Sequence, residues 1–152
     1  MTAQYDVAAI GNAIVDVISP ANDAFLVTEG MAKGSMALID DDRAAQLYGR
    51  MAAGIETSGG SAANTVAGIA SLGGTAAYIG KVARDQLGDV FAHDIRAIGV
   101  QFDIPRLIDG PATARCLINV TPDGQRTMST FLGASNQLTA ADVDPDLITA
   151  SS

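Results

Sequence analysis

The stretch Gly59-Gly60-Ser61-Ala62-Ala63-Asn64-Thr65 has the residue types and spacing of a turn that meets a ligand. Paired glycines let the backbone approach a bound molecule closely, because no Cβ stands in the way. Asn64 lies one helical turn beyond Gly60, so its side chain projects toward whatever the turn approaches. Its amide both donates and accepts hydrogen bonds, as does a sugar hydroxyl, so the local chemistry suits a polyol. It equally suits a glycine-rich strand-to-helix turn with Ser61 as helix cap and Asn64 on the surface. Two phosphate-binding alternatives fit poorly. The glycines lack the G-x-G-x-x-G spacing of a dinucleotide site, and the Gly-Lys-Ser/Thr loop is absent.

The elements around this turn follow from periodicity. Tyr5 to Ile10 reads as a buried strand ending at Gly11, and Ile14 to Ile18 continues with β-branched residues up to Pro20. Asn22 to Glu29 suits a short helix ended by Gly30, and Ser35 to Ile39 returns to strand character. From Asp40, acidic residues precede Ala44, Leu47, Tyr48 and Met51 at helical spacing, with the anions at the positive end of the helix dipole. After the double glycine, Val66, Ile69 and Leu72 share one predicted helical face, which Gly73-Gly74 ends. Thr75 to Ile79 reads as a buried strand. Asp85 to Ile98, with Leu87, Phe91, Ile95 and Ile98 on one face, reads as an amphipathic helix stopped by Gly99.

Strand, helix, strand, helix is the pattern of a parallel α/β sheet. Thr113 to Val120 and Arg126 to Leu132 flank the turn signal Thr121-Pro122-Asp123-Gly124 and are expected to form a hairpin. Joined by the early strands around Val17 and Leu38, the hairpin would make a small subsidiary sheet, naturally interpreted as a lid. A further helix is expected to begin near Leu138-Thr139-Ala140-Ala141-Asp142.

Composition removes several classes of function. Apolar residues make up 48% of the 152 and charged ones only 17%, too hydrophobic a balance for a disordered chain. A net charge of −8 without any basic run argues against nucleic acid and against an anionic membrane surface. No apolar run approaches bilayer-spanning length. No secretory signal is visible in Met1 to Asp6, so a cytoplasmic location is expected. Cys116, the single cysteine, cannot form an internal disulfide. No Cys/His spacing suits zinc, and His93 reads as a solvated or core-edge residue, so no metal site is expected.

The run from Gly59 through Gly73-Gly74 to Gly80-Lys81-Val82 and Asp85-Gln86-Leu87-Gly88 resembles the N-terminal signature of the PfkB, or ribokinase-like, carbohydrate kinases, a family that includes ribokinase and adenosine kinase. Gly11-Asn12-Ala13-Ile14-Val15-Asp16 is similar to the family's first strand with its substrate-contacting Asn and Asp. The likeness extends over essentially all of residues 1–152, including Gly34-Ser35-Met36-Ala37-Leu38 and the hairpin. It implies a single ribokinase-like α/β domain: a Rossmann-like parallel sheet flanked by helices, with lid strands around 14–18, 35–39 and 113–132.

Carried over by position, the resemblance implies that Asp16 accepts hydrogen bonds from ribose hydroxyls, with Asn12 nearby and Gly59, Gly60 and Asn64 opposite. Arg126 matches an arginine that adenosine-kinase-like members place near the transferred phosphate, where a guanidinium stabilises developing charge. Met36, Leu38, Cys116 and Met128 fall where lid side chains meet the base. Each also has a plainer structural reading: a turn cap for Asp16, an exposed strand arginine for Arg126 and lid-core packing for the rest.

Family members use a catalytic aspartate in a Gly-Ala-Gly-Asp segment near the C-terminus, and no such segment occurs here. ATP and Mg²⁺, the family's cofactors, would bind in that other part. The chain is therefore expected to be the N-terminal portion of a kinase and inactive alone. The expected substrate of the whole enzyme is adenosine or another ribonucleoside. A ribokinase, fructokinase or ketodeoxygluconate kinase fragment is the alternative, as is a non-catalytic sugar- or nucleoside-binding module. Oligomeric state is left open.

Overall fold

The structure is a computed structural model that describes residues 3–152; Met1 and Thr2, at the start of the stretch read for a signal sequence, lie outside the described residues. The described residues form two sheets. A parallel sheet has the order β1 (Val7–Ile10), β5 (Ala76–Ile79), β6 (Val100–Gln101). A five-stranded mixed sheet has the order β3 (Met36–Leu38), β8 (Arg126–Phe131), β7 (Ala114–Val120), β2 (Ile14–Pro20), β4 (Ile55–Gly59). The hairpin β7–β8 is antiparallel, β2 runs parallel to β7, and β4 is antiparallel to β2. Strands β4 and β6 have no counterpart in the sequence analysis.

Helix starts are set by side-chain caps. Asn22 accepts from the Phe25 amide to begin α1 (Asp23–Thr28), Asp40 from Arg43 to begin α2 (Asp41–Tyr48), and Asp85 from Gly88 to begin α4 (Gln86–Ala97). α3 (Ser61–Ser71) is the exception. Its N-cap is Gly60, without a side-chain cap bond, so Ser61 is a helical residue and not the cap. Beyond β8 come 3₁₀ turns at Gly133–Gln137 and Ala140–Asp142 and the short α5 (Pro145–Thr149).

One apolar core joins the two sheets. Val15, Val17 and Leu117 on the inner face of the five-stranded sheet meet Val66 of α3, Phe91 and Ile95 of α4, and Ala76 and Tyr78 of β5. The rings of Tyr78, Phe91 and Phe102 pack with centroids 5.3–6.0 Å apart. All four residues of β5 are buried, which accounts for its unbroken run Ala-Ala-Tyr-Ile. Two expected core positions are corrected. Leu72 is 90% exposed and Ile98 43% exposed, because each sits at the C-cap where its helix ends and the face turns away from the core. Tyr48, at the last position of α2, is likewise exposed.

Phe91→Ala is expected to cost about 3–5 kcal/mol in chemical denaturation, since it opens a void between two rings. Leu72→Lys is expected to stay within about 0.5 kcal/mol of the parent.

Candidate functional site

The chain passes from the parallel sheet to the five-stranded sheet at Gly11–Ala13 and returns at Gly59–Gly60. The two crossings touch. Gly60 has φ +96°, a conformation that strains any residue with a Cβ, and a Cβ built there would lie 2.5 Å from the Asn12 carbonyl oxygen. A Cβ on Gly59 would fall within the Asp16 carboxylate. Glycine is thus required at position 60 by its backbone conformation and the Asn12 carbonyl, whereas at position 59 it leaves room for the Asp16 carboxylate. The Asn64 amide N–H donates to the Gly60 carbonyl at 2.8 Å, and the Asn64 side chain is exposed on the first turn of α3. Asn12, Asp16, Gly59 and Gly60 are brought together, with Asn64 one turn away.

Strand register arranges the remaining candidates. Residues paired across strands point to one face. Thr57, Asp16, Cys116, Thr130 and Leu38 form a row across β4, β2, β7, β8 and β3. Two residues along, Ile55, Ile18, Ile118, Met128 and Met36 form a second row on the same face. At strand rise the rows are about 7 Å apart. The first carries a carboxylate, two hydroxyls and a thiol, whereas the second is wholly apolar. Arg126 pairs with Val120 one row further on. This is the face turned away from the core: Met36 is 56% and Leu38 64% exposed at the β3 edge and Asp16 is half-buried, while Cys116, Thr130 and Ile118 on the central strands are buried. Thr57, Thr130, Ile18, Ile55 and Ile118 share this face and were not singled out in the sequence analysis. The signal that could have found them is alternation in register with Asp16.

Burial pushes the Asp16 carboxyl above the ordinary carboxylate value, and the charge of Arg126 draws it partly back. Burial likewise raises the Cys116 thiol. The Thr130 hydroxyl, which donates to Sγ at 3.3 Å, opposes that rise, and the Asp16 charge adds to it. Cys116 is therefore held as a neutral thiol. Asp16 is an acceptor held against its own solvation preference beside hydroxyls and apolar surface, an arrangement able to grip a diol. Among the described residues, no cluster of three or more His, Cys, Asp and Glu side chains could hold a metal ion. A separate groove of about 500 Å³ lies on the outer side of α4, where Arg106 pairs with Asp89 and Arg96 with Asp103. Its charges are already matched, and it is distinct from the Asp16 face.

A carboxylate whose pKa is raised by folding costs stability when ionised. The cost is absent below the ordinary carboxylate range and develops as pH rises through the elevated value. Asp16→Asn is accordingly expected to raise the melting temperature at pH 7, with the gain shrinking toward the parent as pH falls below that range. Thermal melts across pH check this.

Residues 6–151 match the family described as pfkB family carbohydrate kinase. The adenosine kinase of Sinorhizobium meliloti is 56% identical with a TM-score of 0.90, over 98% of this chain and 46% of that one. A probable sugar kinase from Rhizobium etli is 51% identical with a TM-score of 0.91, over 99% and 46%. The probable fructokinase-6, chloroplastic, of Arabidopsis thaliana is 36% identical over 92 residues, 59% of this chain and 24% of that protein. The chain thus spans less than half the length of these relatives. No helix among the described residues is long and apolar enough to cross a membrane. With the match running through both sheets and the glycine turn between them, the chain has the ribokinase-like α/β fold and belongs to the PfkB family of carbohydrate kinases.

Proposed function

We propose that this chain is the substrate-binding part of an ATP-dependent kinase that phosphorylates a primary hydroxyl of a ribose-like substrate, with adenosine as first choice. The observation that carries the reading is the pair of rows on the open sheet face. A polar row centred on Asp16 suits the ribose hydroxyls, and an apolar row about 7 Å away suits a flat base. Asp16 accepts from the diol, while Asn12, Gly59, Gly60 and Asn64 line the opposite side. Met36, Leu38, Cys116 and Met128 cover the ligand as a lid. Arg126, whose charge already reaches Asp16, stands ready for developing negative charge. The likeness to an adenosine kinase at 56% identity supports the same choice.

ATP and Mg²⁺ do not fit the residues present. Among the described residues the acidic side chains offer no ligand cluster, and the sequence has no Gly-Ala-Gly-Asp turn to cradle phosphate. The proposal assigns them to another part of the enzyme, so this chain alone would bind substrate without turning over ATP.

The 36% identity to a fructokinase favours a second reading, in which the polar row takes a free sugar and the apolar row is covered by other protein. Calorimetric titration separates the two. Adenosine is expected to bind, with Asp16→Ala weakening it by about 10-fold or more through loss of a charge-assisted hydrogen bond. No ATP hydrolysis is expected on the same sample. Binding of fructose or ribose without adenosine would move the assignment to a sugar kinase. ATP turnover by the chain would contradict the division of labour.

A further inference from the structure

The second half of the glycine signature, residues 80–88, does not border the Asp16 face, and its side chains are engaged elsewhere. Asp85 Oδ1 accepts from the Gly88 amide at 2.8 Å and from the Thr113 hydroxyl at 2.6 Å, while Oδ2 accepts from the Thr113 amide at 2.8 Å. The same Thr113 hydroxyl accepts from the Ala83 amide at 2.9 Å, and Thr113 is fully buried. A Cβ on Gly88 would collide with the Ala83 carbonyl and stand 3.1 Å from Thr113 Oγ1, so glycine there keeps the junction closed. Burial pushes the Asp85 carboxyl up, but the Thr113 and Gly88 hydrogen bonds outweigh it and hold the group below the usual carboxylate range.

Thr113 is the residue immediately before β7, the entry to the hairpin. The segment that follows the hairpin is held by the same loop. Asp142, in the second 3₁₀ turn after β8, accepts from the Thr139 amide and hydroxyl and pairs with Lys81; the Lys81 and Asp142 side chains are 8% and 12% exposed. Entry and exit also bind each other, the Ala134 amide donating to the Ala112 carbonyl at 2.8 Å. Hairpin placement determines what stands beside Asp16, because Cys116, Thr130, Ile118 and Met128 all lie on β7 and β8.

We propose that Lys81, Asp85 and Thr113 are positioning residues: the loop between β5 and α4 clamps the entry of the β7–β8 hairpin and the segment that follows it, and so fixes the lid rows over the substrate. This rests on the reading of the Asp16 face as a nucleoside site. It assigns the Gly80–Gly88 half of the signature a mechanical role, distinct from the ligand contacts of the Gly59–Asn64 half.

Thr113→Val keeps shape and loses both hydroxyl bonds; Thr113→Ser keeps them. Both are compared with the parent by amide hydrogen exchange and by adenosine calorimetry, at a temperature where circular dichroism shows each fully folded. For Thr113→Val, exchange of the 114–131 amides is expected to quicken about 10-fold while 76–79 are unchanged, and adenosine affinity to fall about 10-fold. Thr113→Ser is expected to restore both. Should Thr113→Val not fold, Lys81→Met provides the same pair of readouts. Parent-like hairpin exchange in the folded variant overturns the clamp. Faster exchange with unchanged affinity reduces it to a structural tie and overturns the positioning role. If the parent binds neither adenosine nor ribose, the nucleoside reading and the positioning role fall together, and the exchange data still report separately on the clamp.

Discussion

The close approach of Gly59 to β2 and of Gly60 to the Asn12 backbone just before it is the contact around which the molecule is organised. It is possible only because two consecutive residues lack a Cβ: one position is filled by the Asp16 carboxylate and the other faces the Asn12 carbonyl at a left-handed φ. At this point β4 ends, α3 begins, and the chain leaves one sheet for the other. The core then has one continuous apolar interior instead of two, because Val15 and Val17 on the inner side of β2 reach the same cluster as Val66 on α3. A side chain at Gly60 would push against the Asn12 backbone at the crossing between the sheets, and one at Gly59 would displace the Asp16 carboxylate.

The same contact explains why a carboxylate is tolerated in a partly buried place. Asp16 lies on the side of β2 opposite Val15 and Val17, against glycine backbone and next to the Cys116–Thr130 pair, with the charge of Arg126 partly offsetting its burial. The carboxylate has hydroxyls on its own row and an apolar row alongside, the combination on which the proposed nucleoside reading rests. A partly buried carboxylate whose pKa is raised by folding is a local cost to stability.

Much of this was legible in the sequence because it is written locally. The Asn22, Asp40 and Asp85 caps, the Pro122-Asp123-Gly124 turn and the apolar run of β5 each place an element without reference to the rest. Strand β4 escaped because Ile-Glu-Thr-Ser-Gly lies at a sheet edge, where polar residues are tolerated and alternation is weak. With β4 went Thr57 and Ile55, the ends of both rows. Strand β6, two residues long, carries too little pattern to be read. Leu72 and Ile98 extend the helical period one residue past the end of the helix, so spacing placed them inside and the cap turned them out. The Asp85–Thr113 and Lys81–Asp142 ties join residues 28 and 61 positions apart, and spacing along the chain does not encode such pairs.

Chemical-shift mapping of adenosine on the uniformly ¹⁵N-labelled chain tests the central claim, that the Asp16 face is the ligand site, most directly. The account predicts shifts concentrated at Asn12, Asp16, Gly59, Gly60, Asn64, Cys116 and Thr130, weaker ones at Ile18, Ile118 and Met128, and none at Asp89, His93 or Arg96 on the outer side of α4. Saturable shifts clustered on α4, or spread over the inner face of the five-stranded sheet, would contradict it.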